Sequence, residues 1–192
     1  MTRFEWPSTA LLLCDLQNDF LHPDGAYGRA GQTAASVAAV PSRVRPVADA
    51  MRRAGGWIVS THFTLVPGRG GEPMISPHLK RLRPFLARGD FASGSWGHAL
   101  VDELAPADIA VEKVAFSAFY MSRLEWALRR AGIVTNGGVA STLRDAHVRE
   151  FETILLRDGC AAFREEVHEA TIASLAGLGE VADCAELLRR LE

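Results

Sequence analysis

Two charged residues sit where apolar stretches of this 192-residue chain run out. Asp15 interrupts the run Thr9 to Cys14, and Lys113 closes ADIAVEK. Each has an ordinary structural reading: a carboxylate capping the loop that follows, or an ammonium solvated at a strand end. At equivalent ends of neighbouring strands they would instead meet in one cleft. An ammonium within about 4–6 Å holds a carboxylate ionised and lowers its pKa by about 1–3 units. Such a pair beneath a loop is a candidate general acid–base site. His62, at the end of WIVSTHF, is a candidate substrate contact. Arg81, Arg83 and Arg88 offer forked N–H donors suited to a carboxylate, or simply a solvated face.

The elements that would position these groups alternate. ALLLCDL (10–16), WIVSTHF (57–63) and ADIAVEK (107–113) are short apolar runs of the kind that form buried parallel strands. Between the first two, residues 36–56 place Val40, Val44, Val47 and Met51 at helical spacing and end in Arg52, Arg53 and a glycine pair. Pro41 and Pro46 imply that the regular part of that helix starts late. Residues 122–132 and the stretch STLRDAHVREF are amphipathic, ETILLRDGCAAF reads as strand and loop, and EEVHEATIASLAGL and DCAELLRRL read as terminal helices. The pattern predicts one α/β domain over residues 1–192, a parallel sheet with helices on both faces, and ligands bound beyond the carboxyl ends of its strands. The irregular stretch from Leu65 to Gly97 is long enough to suggest a functional or lid-like segment. One junction is anomalous. Only Ile133 and Val134 separate a helix ending near Gly132 from the turn at Thr135, whereas a central strand takes about five residues. The crossover there is unusually short, or residues are absent from the sequence; the second is the expectation.

Composition removes several classes. A formal charge of −2, with no basic stripe, argues against a nucleic-acid partner or an anionic membrane surface. The run Thr9 to Cys14 falls far short of the roughly 20 residues that span a bilayer, and the opening MTRFEWPST lacks a signal-peptide core. A cytoplasmic protein acting on a small molecule is expected. Cys14, Cys160 and Cys184 are too widely spaced for a disulfide framework or a Cys-x-x-Cys site, and are expected reduced and mostly buried.

Four segments in order, LLLCDLQNDF, EKVAFSAF, GIVTNGGVASTLRDA and ILLRDGCAAF, resemble the isochorismatase-like hydrolase superfamily, which includes isochorismatases and the cysteine amidohydrolases. The likeness runs from Ala10 to about Phe163. It implies a three-layer αβα sandwich with a Rossmann-like parallel sheet, assembled as a dimer or tetramer. It also implies that Asp15 and Lys113 are the catalytic acid–base pair, with Ser117 and Phe119 in the turn that follows the lysine. In thiol members an aspartate takes the proton of a cysteine, the thiolate attacks a carbonyl, and backbone N–H groups hold the oxyanion. The resemblance puts that hole at Val134 and Gly138, beside a cis peptide at Ile133–Val134. Phe20, Trp96 and Phe119 are then candidates for the apolar wall around Asp15, and His62, Ser117 and Asn136 for contacts to substrate.

The departure lies at Gly138, where thiol members carry their nucleophile. Glycine cannot attack, and losing a nucleophile costs on the order of 10⁶ in rate in a triad-type enzyme. Isochorismatases do resemble this chain in having glycine there; they cleave a vinyl ether by protonating carbon and adding water. In that chemistry Asp15 would hold a proton, against the influence of Lys113, so burial would have to raise its pKa. The adjoining Thr135 and Asn136, however, resemble the amidohydrolase branch. Vinyl-ether hydrolysis through Asp15 and Lys113 is the leading expectation. The rivals are a C–N hydrolase that activates water or has lost its cysteine, and a non-catalytic binder on the same fold. No cofactor is expected. The Asp-x-His zinc motif of nicotinamidases is missing around His62, so no metal is expected either.

Overall fold

The computed structural model describes residues 5–131, 134–136 and 139–191. Strands β1 (Ala10–Cys14), β2 (Trp57–Phe63), β3 (Ile109–Lys113), β4 (Val134–Asn136), β5 (Ile154–Leu156) and β6 (Glu180–Ala182) form one parallel sheet in the order β3-β2-β1-β4-β5-β6. The order reverses between β1 and β4, which opens a crevice beyond their carboxyl ends. Asp15 is the first residue after β1, at that switch point. The shortened junction does yield a strand: three residues, with Leu11 opposite Val134 and Leu13 opposite Asn136. Gly132, Ile133, Gly137 and Gly138 lie outside the described residues, and with them the expected cis bond and anion hole.

Alternation along β1 explains the two covered faces. Leu11 and Leu13 join Ile58, Ile154 and Leu156 under Val44, Val47 and Met51 of the helix Val40–Arg53 and Leu187 of the helix Cys184–Leu191. Ala10, Leu12 and Cys14 face the other way, with Val59 and Val111, against Leu124, Ala127 and Leu128 of the helix Leu124–Ala131. Because both faces are dry, β1 reads as an unbroken apolar run instead of an alternating one. The helix Val40–Arg53 starts earlier than its prolines suggest. Pro41 falls in the first turn, where no N–H is needed, and Pro46 is accommodated inside. Strand β6 escaped the sequence reading because three residues between two helices carry no periodic signal.

The irregular segments are tied down by the residues after Asp15. Gln17 is fully buried: its amide nitrogen donates to the carbonyls of Phe63 (3.0 Å) and His98 (2.9 Å), and its oxygen accepts the Phe63 N–H at 2.7 Å. Asn18 donates to the Trp96 carbonyl at 2.8 Å. The buried Asp19 carboxylate accepts the N–H groups of Ala26 (2.9 Å) and Phe91 (2.6 Å). Glycine is required at 97, because a Cβ there would stand 2.2 Å from Asp19 Oδ2. Phe91 holds the left-handed region at φ 51° while presenting that N–H. Behind this junction His62 and His98 meet edge to face at 5.0 Å, each ring within 2.8 Å of a hydroxyl, Ser60 or Thr64. Burial, then the charge of His98, push the His62 pKa down to about 4, with Glu112 opposing.

Two stability measurements test this account. Asp19→Ala leaves two buried N–H groups without an acceptor and is expected to lower unfolding free energy by about 3 kcal/mol, with Asp19→Asn in between, by urea denaturation. His62 is depressed in the folded state, so between its folded pKa of about 4 and the unfolded value of about 6.5 the unfolded chain binds the extra proton. Stability is therefore expected to fall as pH drops through that window, by about 3 kcal/mol in all at about 1.36 kcal/mol per unit. His62→Gln should flatten the dependence.

Candidate functional site

Lys113 must reach across β2 to meet Asp15, because β1 and β3 are not neighbours. Two strand spacings are about 10 Å. The long lysine stem and the short aspartate span them together: Lys113 Nζ lies 2.8 Å from Asp15 Oδ2. Lys113 is 2% exposed, and its ammonium also donates to the carbonyls of Ala115 and Phe116, both at 3.0 Å. Three N–H donors meet three acceptors, which is what a buried ammonium requires. Asp15 takes the left-handed conformation at φ 59°, a bend that aspartate tolerates and that ends β1. Its second oxygen, Oδ1, is buried and has no hydrogen-bond partner among the described residues. Burial raises the Asp15 pKa above the ordinary carboxylate range, outweighing the opposing charges of Lys113 and Arg83. The sequence leaves that competition open; in the structure desolvation wins.

Asp15 lines two adjoining cavities, of about 410 Å³ and about 180 Å³. The larger runs past Tyr27, Ala140, Ser141, Phe163 and His168; the smaller past Phe63, His78 and Lys113. Phe20, Arg83 and Phe116 border both.

The other sequence-based candidates are distributed unevenly. Phe20 is at the cavities. Ser117 and Phe119 instead fasten the turn after Lys113. The Ser117 hydroxyl donates to Asp145, the Ala118 N–H donates to Thr142 Oγ1 at 3.1 Å, and Phe119 stacks on Phe151 at 5.9 Å. They hold in place the carbonyls that receive the lysine. His62 lines neither cavity, being committed to Ser60 and His98. Trp96 is half exposed and meets His22 edge-on at 4.9 Å, away from Asp15. Asn136 is known here by its strand position alone, and Gly138 lies outside the described residues.

Sequence reasoning missed Tyr27, Phe116, Phe163 and His168. The last was legible in principle, since His168, Thr171 and Ile172 share one face of the helix Glu165–Leu175 and all line the larger cavity. The described cysteines are buried, and desolvation, with the adjacent Asp15 charge, pushes the Cys14 thiol up to about 12, far from a thiolate at neutral pH. Among the described residues no group of three or more His, Cys, Asp or Glu side chains could hold a metal ion. None of the described helices is long and apolar enough to cross a membrane.

Comparisons with known proteins agree with this architecture. The family model described as Isochorismatase domain matches residues 9–186. A ureidoacrylate amidohydrolase RutB from Stutzerimonas stutzeri (strain A1501) is 36% identical over 172 residues, covering 78% of this chain and 68% of the relative. Its counterpart from Methylobacterium radiotolerans is 34% identical over 188 residues, 88% and 73% of the two chains. Among solved structures, a cysteine hydrolase from Pseudomonas syringae pv. phaseolicola 1448A superposes with a TM-score of 0.79 at 25% identity, over 100% of this chain and 95% of the other. With the parallel sheet and the matched span taken together, the chain belongs to the isochorismatase-like hydrolase superfamily.

Proposed function

We propose that this hydrolase cleaves a C–N bond of a small amide or ureide, with Asp15 moving the proton and Lys113 fixing the charge and position of Asp15. The observation that carries the reading is the 2.8 Å contact between Lys113 Nζ and Asp15 Oδ2 at the wall of a cavity sized for a small molecule. The choice of bond rests on relatives above 30% identity that bear the name ureidoacrylate amidohydrolase. Their activity favours C–N cleavage over the vinyl-ether chemistry expected from the glycine at 138.

With no thiol at position 138, the nucleophile in this reading is water. Asp15 accepts a proton from water as its oxygen bonds to the carbonyl carbon. The tetrahedral adduct then loses the amine, which leaves with the proton returned by Asp15. Burial suits the carboxylate to both halves of the cycle: a raised pKa makes it a better base and lets it hold the proton briefly. Lys113 opposes the rise and so favours the ionised carboxylate that the base role needs.

Ammonia release is expected from an amide and ureide panel, with no pyruvate from isochorismate; the opposite result rejects the proposed bond. Asp15→Asn should lower kcat/KM by roughly 10²–10⁴ while ligand affinity survives. An acid limb in kcat/KM, with activity rising as pH increases, is expected above the ordinary carboxylate range, and Lys113→Met should move it higher still. Activity that instead falls with rising pH through that limb would assign Asp15 the role of proton donor. Gly138→Cys should add a thiol-dependent amidase rate, above the water-dependent one, that iodoacetamide removes, because the resemblance assigns the attacking thiol to that position.

A further inference from the structure

The charges around the two cavities do not balance. Among the described residues that line them, Asp15 is the single carboxylate, while Lys113 and Arg83 are both cations. Lys113 is satisfied by Asp15 and two carbonyls. Arg83 has no carboxylate within ion-pairing distance among the described residues; it donates one hydrogen bond to the Tyr27 hydroxyl, and its charge is felt at Asp15. It is held by rings: its guanidinium carbon lies 5.9 Å from the centre of Phe20, 5.7 Å from Tyr27, 5.6 Å from Phe63 and 5.6 Å from Phe116.

Ring faces stabilise a cation but accept few of the five N–H donors that guanidinium carries. A half-buried arginine in this setting retains a fork of donors suited to a planar anion, at the border of both cavities. We propose that Arg83 is the residue that binds a carboxylate of the substrate, so that the enzyme selects small amides or ureides that are also acids. The inference rests on the C–N reading above and narrows it. One molecule lies with its acid group on Arg83 and its carbonyl toward Asp15, and its negative charge cancels the excess cation. The aromatic ring cluster fixes the guanidinium before substrate arrives, which keeps the ordering cost of binding small.

The test uses N-carbamoylglycine and N-carbamoyl-β-alanine, each beside its methyl ester, with ammonia release and calorimetric binding as readouts. The intact chain is expected to favour at least one acid over its ester by roughly 10- to 100-fold, in KM or in Kd, the range for losing a charged hydrogen-bonded pair. Arg83→Leu should erase that preference, mainly by weakening the acid, and Arg83→Lys should restore only part of it. A preference that persists in Arg83→Leu, or equal handling of acid and ester by the intact chain, overturns the assignment; so does failure of every acid to bind. The two proposals can fail separately. Ammonia release from esters and acids alike spares C–N hydrolysis and rejects Arg83, whereas tight acid binding without ammonia release does the reverse. Loss of folding in Arg83→Leu would lower acid and ester together, so the ratio between them still decides.

Discussion

A buried ammonium that must find three acceptors organises this molecule. Lys113 obtains one from Asp15, two strands away, and two from the turn that follows β3. Each acceptor brings its own requirement. Asp15 has to leave β1 through a left-handed residue, and the turn bearing Ala115 and Phe116 has to be braced by Ser117 and Ala118 against the helix Val139–Val148. Leaving either ion without its partner in the interior would cost several kcal/mol, so the crevice and the fold are coupled.

The second constraint is that the wall of the crevice comes from irregular backbone. Chain without helix or strand has to place its N–H and C=O groups elsewhere. Gln17, Asn18 and Asp19 meet that need from a single turn after β1, reaching Phe63, Phe91, Trp96 and His98. The run DLQND therefore joins two tasks that the sequence shows only as adjacency: its first residue faces the cavities, and the later ones hold the segment that carries Arg83 over them.

Legibility followed the physics of each feature. The strands β1 and β2 and the helix Val40–Arg53 were readable because burial on both faces or on one stripe imposes an apolar pattern. Asp15 and Lys113 were readable because each breaks such a pattern at its end, and the resemblance to a known superfamily joined them. The sign of the Asp15 shift was not readable, since it depends on how dry the crevice is. His62 looked like a contact to substrate from its place at a strand end, but its ring belongs to Ser60 and His98. Arg83 stood among three arginines in one segment, and nothing local distinguishes the one that four aromatic rings, distant in sequence, have gathered.

The buried sulfurs carry a last consequence. With Cys14 enclosed and held protonated, the sulfur beside Asp15 offers peroxides and electrophiles no ready anion. A carboxylate has no comparable ladder of oxidation states. A site whose reactive group is a carboxylate therefore lacks the oxidation-sensitive anion on which thiolate chemistry depends.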